Sequence, residues 1–244
     1  MAQIDAVFKA YDIRGTVPDQ LDAELCRAIG AAFAQFATEG MDRPRVLVGR
    51  DMRPSGVELS AAFAEGVRAQ GVDVVDLGLC STDMLYFASG REDAPAAVFT
   101  ASHNPATYNG IKMCLAGAKP VGEETGLREI KAAAATGLPD GTGEPGAASA
   151  LDVLGDFAAH VHSFVDVGAL KPLKVVADTA NGMGGLVVPA VFEGLPFDLE
   201  ILYPELDGTF PNHPADPIQP ENQKDLQARV LATGADVGLA FDGD

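Results

Sequence analysis

Ser102 and His103 stand side by side just past the apolar run Ala97-Val98-Phe99, and Asp242 and Asp244 flank a glycine just past a second apolar run, residues 237–241. A free serine hydroxyl is a weak nucleophile that needs an activating base. His103 is next to Ser102 in the chain, but adjacency is not geometry, and no Gly-x-Ser-x-Gly elbow surrounds the serine, which disfavours a serine hydrolase. If Ser102 carries a phosphoryl group instead, it becomes an anion with three acceptor oxygens. One of these oxygens can complete the coordination of a Mg²⁺ held by Asp242 and Asp244, because hard carboxylate oxygens plus a phosphate oxygen suit that ion. Asp-x-Asp alone is a common solvated turn; its place at the end of a buried strand is what points to a metal.

Phosphoryl transfer also needs cations around the moving group. The candidates are Arg14 in Tyr11-Asp-Ile-Arg-Gly15, Arg50 in Gly49-Arg-Asp-Met-Arg53, and Lys112. Both arginines sit in glycine-flanked segments where backbone can approach a ligand closely. A rival reading of the same residues makes Asp242 a nucleophile and Asp244 its acid/base, as in haloacid-dehalogenase-like phosphatases, but it leaves the Ser102 segment without a role. A second rival is a non-catalytic protein that binds a phosphorylated ligand or a partner.

The elements that must position these residues alternate between helix and strand, the pattern of an α/β fold. Leu25, Ile29, Phe33 and Phe36 recur at helical spacing over residues 22–39, and a strand is expected over 45–49. Ser55 and Glu58 form a capping-box pattern opening a helix that stops near Gly71. A strand at 72–77, a short helix at 82–88, the strand before Ser102, a turn through Asn109-Gly110 and a helix at 123–135 follow. Glycine, proline and alanine crowd residues 136–150, which sets a domain boundary there: domain 1–150, then domain 151–244. The second domain reads helix 151–165, strand 173–177, glycine-rich turn 181–185, helix, strand 199–203, helix 221–233, strand 237–241. In open α/β sheets ligands bind beyond the carboxyl ends of strands, so the Ser102 and Asp242 loops are expected to face one site.

The 244 residues carry a formal charge of −18, which argues against nucleic acid or anionic lipid as partners. No segment approaches ~18 consecutive apolar residues, and no signal-peptide pattern opens the chain, so a membrane partner is not expected. Cys26, Cys80 and Cys114 follow no metal pattern and read as reduced, buried thiols of a cytoplasmic protein. Asn181-Gly-Met-Gly-Gly185 lacks the lysine and spacing of a P-loop and reads as a structural strand-to-helix turn. His160 and His162 point to different helix faces, His213 reads as loop scaffold, and Phe33, Phe36, Phe63 and Phe87 as core.

KAYDIRG (9–15), GRDMRPSG (49–56), TASHNPATYNGIK (100–112), ADTANGMGG (177–185), DGTFPNHPADPIQPEN (207–222) and AFDGD (240–244), in that order, resemble the α-D-phosphohexomutases, nearest their phosphomannomutase/phosphoglucomutase branch. The resemblance implies two successive three-layer α/β/α domains with mixed sheets flanked by helices. The second is expected to be truncated, since the chain stops on the tip of a core strand, and two further sugar- and phosphate-binding domains are expected to be absent. It implies a phosphoserine at Ser102 that exchanges its phosphoryl group with hexose phosphates through a hexose 1,6-bisphosphate, and Mg²⁺ held by Asp242, Asp244 and that phosphate. Glucose or mannose 1,6-bisphosphate is the expected activator. His103 and Lys112 would orient or protonate oxygens of the transferred group, Arg14 and Tyr11 would support the acid/base step, and Arg50, Asn104 and Asn109 would contact substrate. The family's third aspartate and following arginine of the metal loop fall beyond Asp244, so this chain alone is expected to have little or no activity.

Overall fold

Helix α2 (Ala23–Ala37) begins where the Asp22 carboxylate accepts the Leu25 N–H at 2.8 Å, filling one of the free donors of a helix start. It packs against α3 (Ser55–Ala69). Two glycines set how closely they approach: a Cβ on Gly30 would lie 2.1 Å from the Phe63 carbonyl oxygen, and one on Gly66 2.0 Å from that of Arg27. In the computed structural model, which describes residues 2–138, 141 and 143–244, these helices belong to the first of two units. That unit comprises Met1–Ala101 with Thr107–Asp152, and the second comprises Ser102–Ala106 with Val153–Asp244.

The first unit also contains α1 (Ala2–Val7), β1 (Ile13–Thr16), β2 (Arg45–Arg50), β3 (Asp73–Leu79), α4 (Thr82–Glu92), β4 (Ala96–Phe99), β5 (Tyr108–Leu115), β6 (Lys119–Pro120), α5 (Arg128–Thr136) and β7 (Ala148–Ala150). Its mixed sheet runs β1-β5-β4-β2-β3-β7, with β6 on β5; β4, β2, β3 and β7 are parallel, while β5 is antiparallel to β1, β4 and β6. Phe33, Phe63 and Phe99 stack in series inside, with ring centroids 6.0 and 5.5 Å apart, and Phe36 packs against this core from its edge.

Several expectations are corrected here. Ser55 is not a cap: Pro54 takes the cap position with helical φ and ψ, so the serine already lies in the first turn, and its Oγ accepts a hydrogen bond from Asn109 Nδ2 at 2.9 Å. Asn109-Gly110 is not a turn but the interior of β5. A Cβ on Gly110 would lie 2.3 Å from the Ile13 carbonyl oxygen and 2.8 Å from that of Thr100, so glycine is needed for the squeeze between flanking strands. The short helix from Thr82 extends to Glu92. The helix expected from residue 123 is kinked over Glu123–Leu127: Thr125 and Gly126 leave helical φ and ψ, and Gly126, at φ 130°, lies where a Cβ would meet the Phe36 ring. The glycine-rich 136–150 segment, of which residues 139, 140 and 142 lie outside the described residues, ends in strand β7 paired with β3; its residues are too small to announce a strand.

The second unit holds α6 (Leu154–His162), β8 (Leu173–Asp178), α7 (Gly184–Phe192), β9 (Phe197–Leu202), α8 (Lys224–Thr233) and β10 (Val237–Ala240). Its three strands run parallel in the order β10-β8-β9. Helix α6 is shorter than its expected span, and the helix expected from 221 starts as a 3₁₀ turn at Pro220. No helix among the described residues is long and apolar enough to cross a membrane.

Candidate active site

The loop Ser102–Ala106 belongs to the second unit, and there Ser102 meets the end of β10. Ser102 Oγ lies 3.0 Å from Asp242 Oδ1 and 2.8 Å from Asp244 Oδ1, and His103 Nδ1 lies 3.3 Å from Asp242 Oδ2. The serine is 7% exposed and adopts a left-handed φ of 52°, a conformation that costs a non-glycine residue about 1–3 kcal/mol and is met mainly where function requires it.

Glycine packing fixes the convergence. A Cβ on Gly243 would lie 2.7 Å from the Ser102 carbonyl oxygen, and a Cβ on Gly182 would lie 2.8 Å from Gly243 Cα. The Met183 N–H donates to the Gly243 carbonyl at 3.0 Å. The glycines of the Asn181–Gly185 turn thus have a packing role, letting backbone segments stack behind the two carboxylates. Gly185 serves the same turn, since a Cβ there would lie 2.0 Å from the Pro204 carbonyl oxygen.

A hydroxyl carries one hydrogen, so it can donate to only one of the two carboxylate oxygens beside it; the other faces a lone pair. A divalent cation would resolve that repulsion. The donors are hard oxygens, two carboxylates and one serine or phosphoserine oxygen, which fits Mg²⁺ keeping water and phosphate in its other positions. Among the described residues no group of three or more His, Cys, Asp or Glu converges as a closed metal cage.

The remaining candidates sit on the first unit. Tyr11 is 83% exposed. Arg14 on β1 pairs with Asp12 at 2.6 Å and stands opposite Gly110, while Lys112 follows two residues along β5 with its Nζ 3.5 Å from Thr82 Oγ1. Register places Arg14 and Lys112 on one face of the sheet, opposite to the face on which Ile13 and Ile111 enter the core. Arg50 ends β2, its side chain against Gly56 of α3. Asn109 is fully buried, its amide shared between Ser55 and the Gly110 N–H, so it braces β5. Asn104 lines an open polar groove with His103, Pro105, Pro214 and Asp216.

Sequence reasoning missed two carboxylate pairings, one a buried ion pair and one with a partly buried histidine. Asp51 and Arg53, both 0% exposed, meet at 3.2 Å, and Arg53 Nη1 donates to the Tyr108 carbonyl at 2.9 Å, tying the loop after β2 to the start of β5. In the second unit Asp178 holds His213 at 3.0 Å. The available signal was a carboxylate at the end of an apolar run, the same signal that marked Asp242.

Burial pushes the Cys80 thiol up to about 12, and Cys26 and Cys114 are raised for the same reason; all three are free and buried.

Two family models match, phosphoglucomutase/phosphomannomutase alpha/beta/alpha domain I over residues 5–138 and domain II over residues 155–244. The chain is 42% identical over 240 residues to a Xanthomonas campestris protein described as phosphohexose mutases, covering 97% of this chain and 52% of that one. It is 41% identical over 245 residues to a Pseudomonas aeruginosa phosphomannomutase/phosphoglucomutase, covering 98% and 50%. A solved phosphoglucomutase/phosphomannomutase family protein of Burkholderia thailandensis superposes with a TM-score of 0.83 at 38% identity, over 99% of this chain and 53% of that one. The chain thus spans about half the length of the relatives it matches. With both domain models matched in order across nearly all of its residues, the chain belongs to the phosphoglucomutase/phosphomannomutase family.

Proposed function

We propose that this chain supplies the phosphoserine and metal-binding part of a cytoplasmic phosphohexomutase that interconverts hexose 6-phosphates and hexose 1-phosphates of mannose, glucose or both. The observation that carries the reading is the approach of Asp242 and Asp244 to the Ser102 hydroxyl at 3.0 and 2.8 Å. The names of the relatives support the reaction class.

In this reading Ser102 Oγ carries a phosphoryl group in the resting enzyme. A sugar hydroxyl attacks phosphorus, the bond to Ser102 Oγ breaks, and the hydroxyl proton passes to a base, giving a hexose 1,6-bisphosphate. The reverse transfer from the other phosphate restores phosphoserine. Mg²⁺ on Asp242, Asp244 and the phosphoserine would neutralise charge on the transferred group. The left-handed backbone at Ser102 aims its oxygen at the carboxylates, and His103, held by Asp242, presents a proton donor beside the same oxygens. Arg14 and Lys112, on one sheet face, would supply positive charge for phosphate, Arg14 and Tyr11 would support the acid/base step, and Arg50 and Asn104 would contact substrate. Because positioning is most of what such a site contributes, half of the relatives' length is expected to turn over little or no substrate.

The test is to incubate the chain with Mg²⁺ and glucose 1,6-bisphosphate and locate added phosphate by peptide mass spectrometry, with Ser102→Ala as control. Phosphate on Ser102 supports the mutase. Phosphate on Asp242, as an alkali-labile acyl phosphate, would replace it with the phosphatase reading.

A further inference from the structure

The Asp178–His213 pair has no role in the chemistry above, yet its side-chain bonds lead to segments that border the Asp242 loop. Asp178 is 2% exposed, at the carboxyl end of β8 opposite Ala240 of β10. Its carbonyl accepts the Phe241 N–H at 3.0 Å, fixing the residue before Asp242. One carboxylate oxygen accepts the Ala180 N–H at 3.0 Å, holding a turn in which Ala180 and Asn181 both take left-handed φ and which sets Gly182 against Gly243. The other oxygen lies 3.0 Å from His213 Nε2. His213 Nδ1 lies 2.8 Å from the Pro214 carbonyl, and the ring packs edge-on to Tyr203 at 5.5 Å. That fixes the segment carrying Ala215, which is 1% exposed and whose Cβ would be 3.2 Å from a Cβ on Gly243. Three segments thus touch the loop, from the strand before it, from the turn behind it and from the side; Asp178 reaches the first with its backbone carbonyl and the other two with its carboxylate.

We infer that Asp178 and His213 are positioning residues for the Asp242-Gly243-Asp244 loop, holding its two carboxylates at the spacing that receives Ser102. A pair that served only general stability would have no reason to direct both carboxylate oxygens to segments bordering Gly243. Reading the loop as metal-holding rests on the proposed function; the positioning itself does not. Residues that orient metal ligands from behind typically change metal affinity about 10–100-fold when removed.

The experiment measures amide hydrogen exchange by mass spectrometry on the metal-free 244-residue chain, following peptides that contain residues 237–244 and, as a folding control, peptides from α2 and α3. Asp178→Ala, and His213→Phe, which keeps a ring against Tyr203 without its nitrogens, are expected to speed exchange in the 237–244 peptides by about tenfold or more, with α2 and α3 unchanged. Asp178→Asn is expected to exchange like the parent. Its Oδ1 can still accept from Ala180, and its Nδ2 can donate to a neutral His213 whose Nδ1–H goes to Pro214. Parent-like exchange in His213→Phe, or an asparagine variant as fast as the alanine one, would overturn the inference. Mn²⁺ titration then reads the coupling to metal: Asp178→Ala should weaken binding about 10–100-fold. A parent chain that binds no Mn²⁺ would remove the metal reading, and the exchange rates would still decide the positioning role.

Discussion

The first unit and the second solve the same problem, holding polar residues at strand ends, by different physical means. The first surrounds its sheet with large buried side chains, among them Phe33, Phe63, Phe99, Ile13, Leu47 and Ile111, all at 0% exposure. The second has a three-stranded sheet whose strands alternate between partly buried and exposed positions along β10, and it sets its site through backbone-to-backbone contacts at Gly182, Gly185 and Gly243. Side-chain packing sums many small contacts and tolerates the loss of a few atoms with graded cost. Backbone stacking through glycine has no side chain to readjust, so a single added methyl must move the chain. Global stability and site geometry should therefore respond to different residues.

The largest expected effect on stability belongs to Phe63→Ala. It should lower the stability of the first unit by about 3–5 kcal/mol in urea unfolding, since the ring sits between Phe33 and Phe99. A loss below about 1 kcal/mol would show that the aromatic stack is not what holds that unit. Gly182→Ala should do the converse. Its methyl meets Gly243 backbone, so the rate of phosphoryl transfer to Ser102 should fall at least about tenfold, the size of effect expected when reacting groups shift by a fraction of an ångström. Denaturation midpoints of the first unit should not change. A variant that transferred phosphate at the parent rate would erase the distinction between the two units.

Smaller effects sharpen the same contrast. Cys26, Cys80 and Cys114 should be unreactive toward Ellman's reagent at pH 8 in the folded chain and all react in urea, because burial raises each thiol. Fast reaction of any one would report local opening of the first unit. In the second unit the hydrogen bond to the Asp225 carboxylate, with help from burial, pushes Tyr203 up to about 12. The folded state favours the neutral phenol, so this contribution to stability is complete below pH 10 and is lost as pH rises from 10 through about 12. Burial also raises Tyr86, so ultraviolet titration should show more than one tyrosine ionising late, and Tyr203→Phe should remove one of these late groups; a late-ionising amplitude unchanged by that substitution would contradict it.

Most helices and central strands were legible because burial imposes periodicity: α2 shows Leu25, Ile29 and Phe33 at helical spacing, and β2, β4 and β8 show unbroken apolar runs. Strands β1, β5 and β7 were not, because small or polar residues at those positions are selected by neighbouring strands. Asn109-Gly110 carries the local signature of a turn, yet the carbonyls of Ile13 and Thr100 on either side require its glycine within a strand. Ser55 looked like a cap because capping is a local rule, whereas Pro54 and Asn109 decided its use.

The sequence by itself determined the alternation of helix and strand, the placing of Ser102 and Asp242 at strand ends, and the ordered motifs that carry the family, since these depend on residue type and spacing along the chain. Tertiary structure alone decided that Ser102 lies within 3.0 Å of Asp242 and 2.8 Å of Asp244, that Asp178 fastens the loop behind them, and that Asn109 is spent inside the sheet. Those facts depend on which distant segments stack with no Cβ between them, and such contacts leave no period in the sequence.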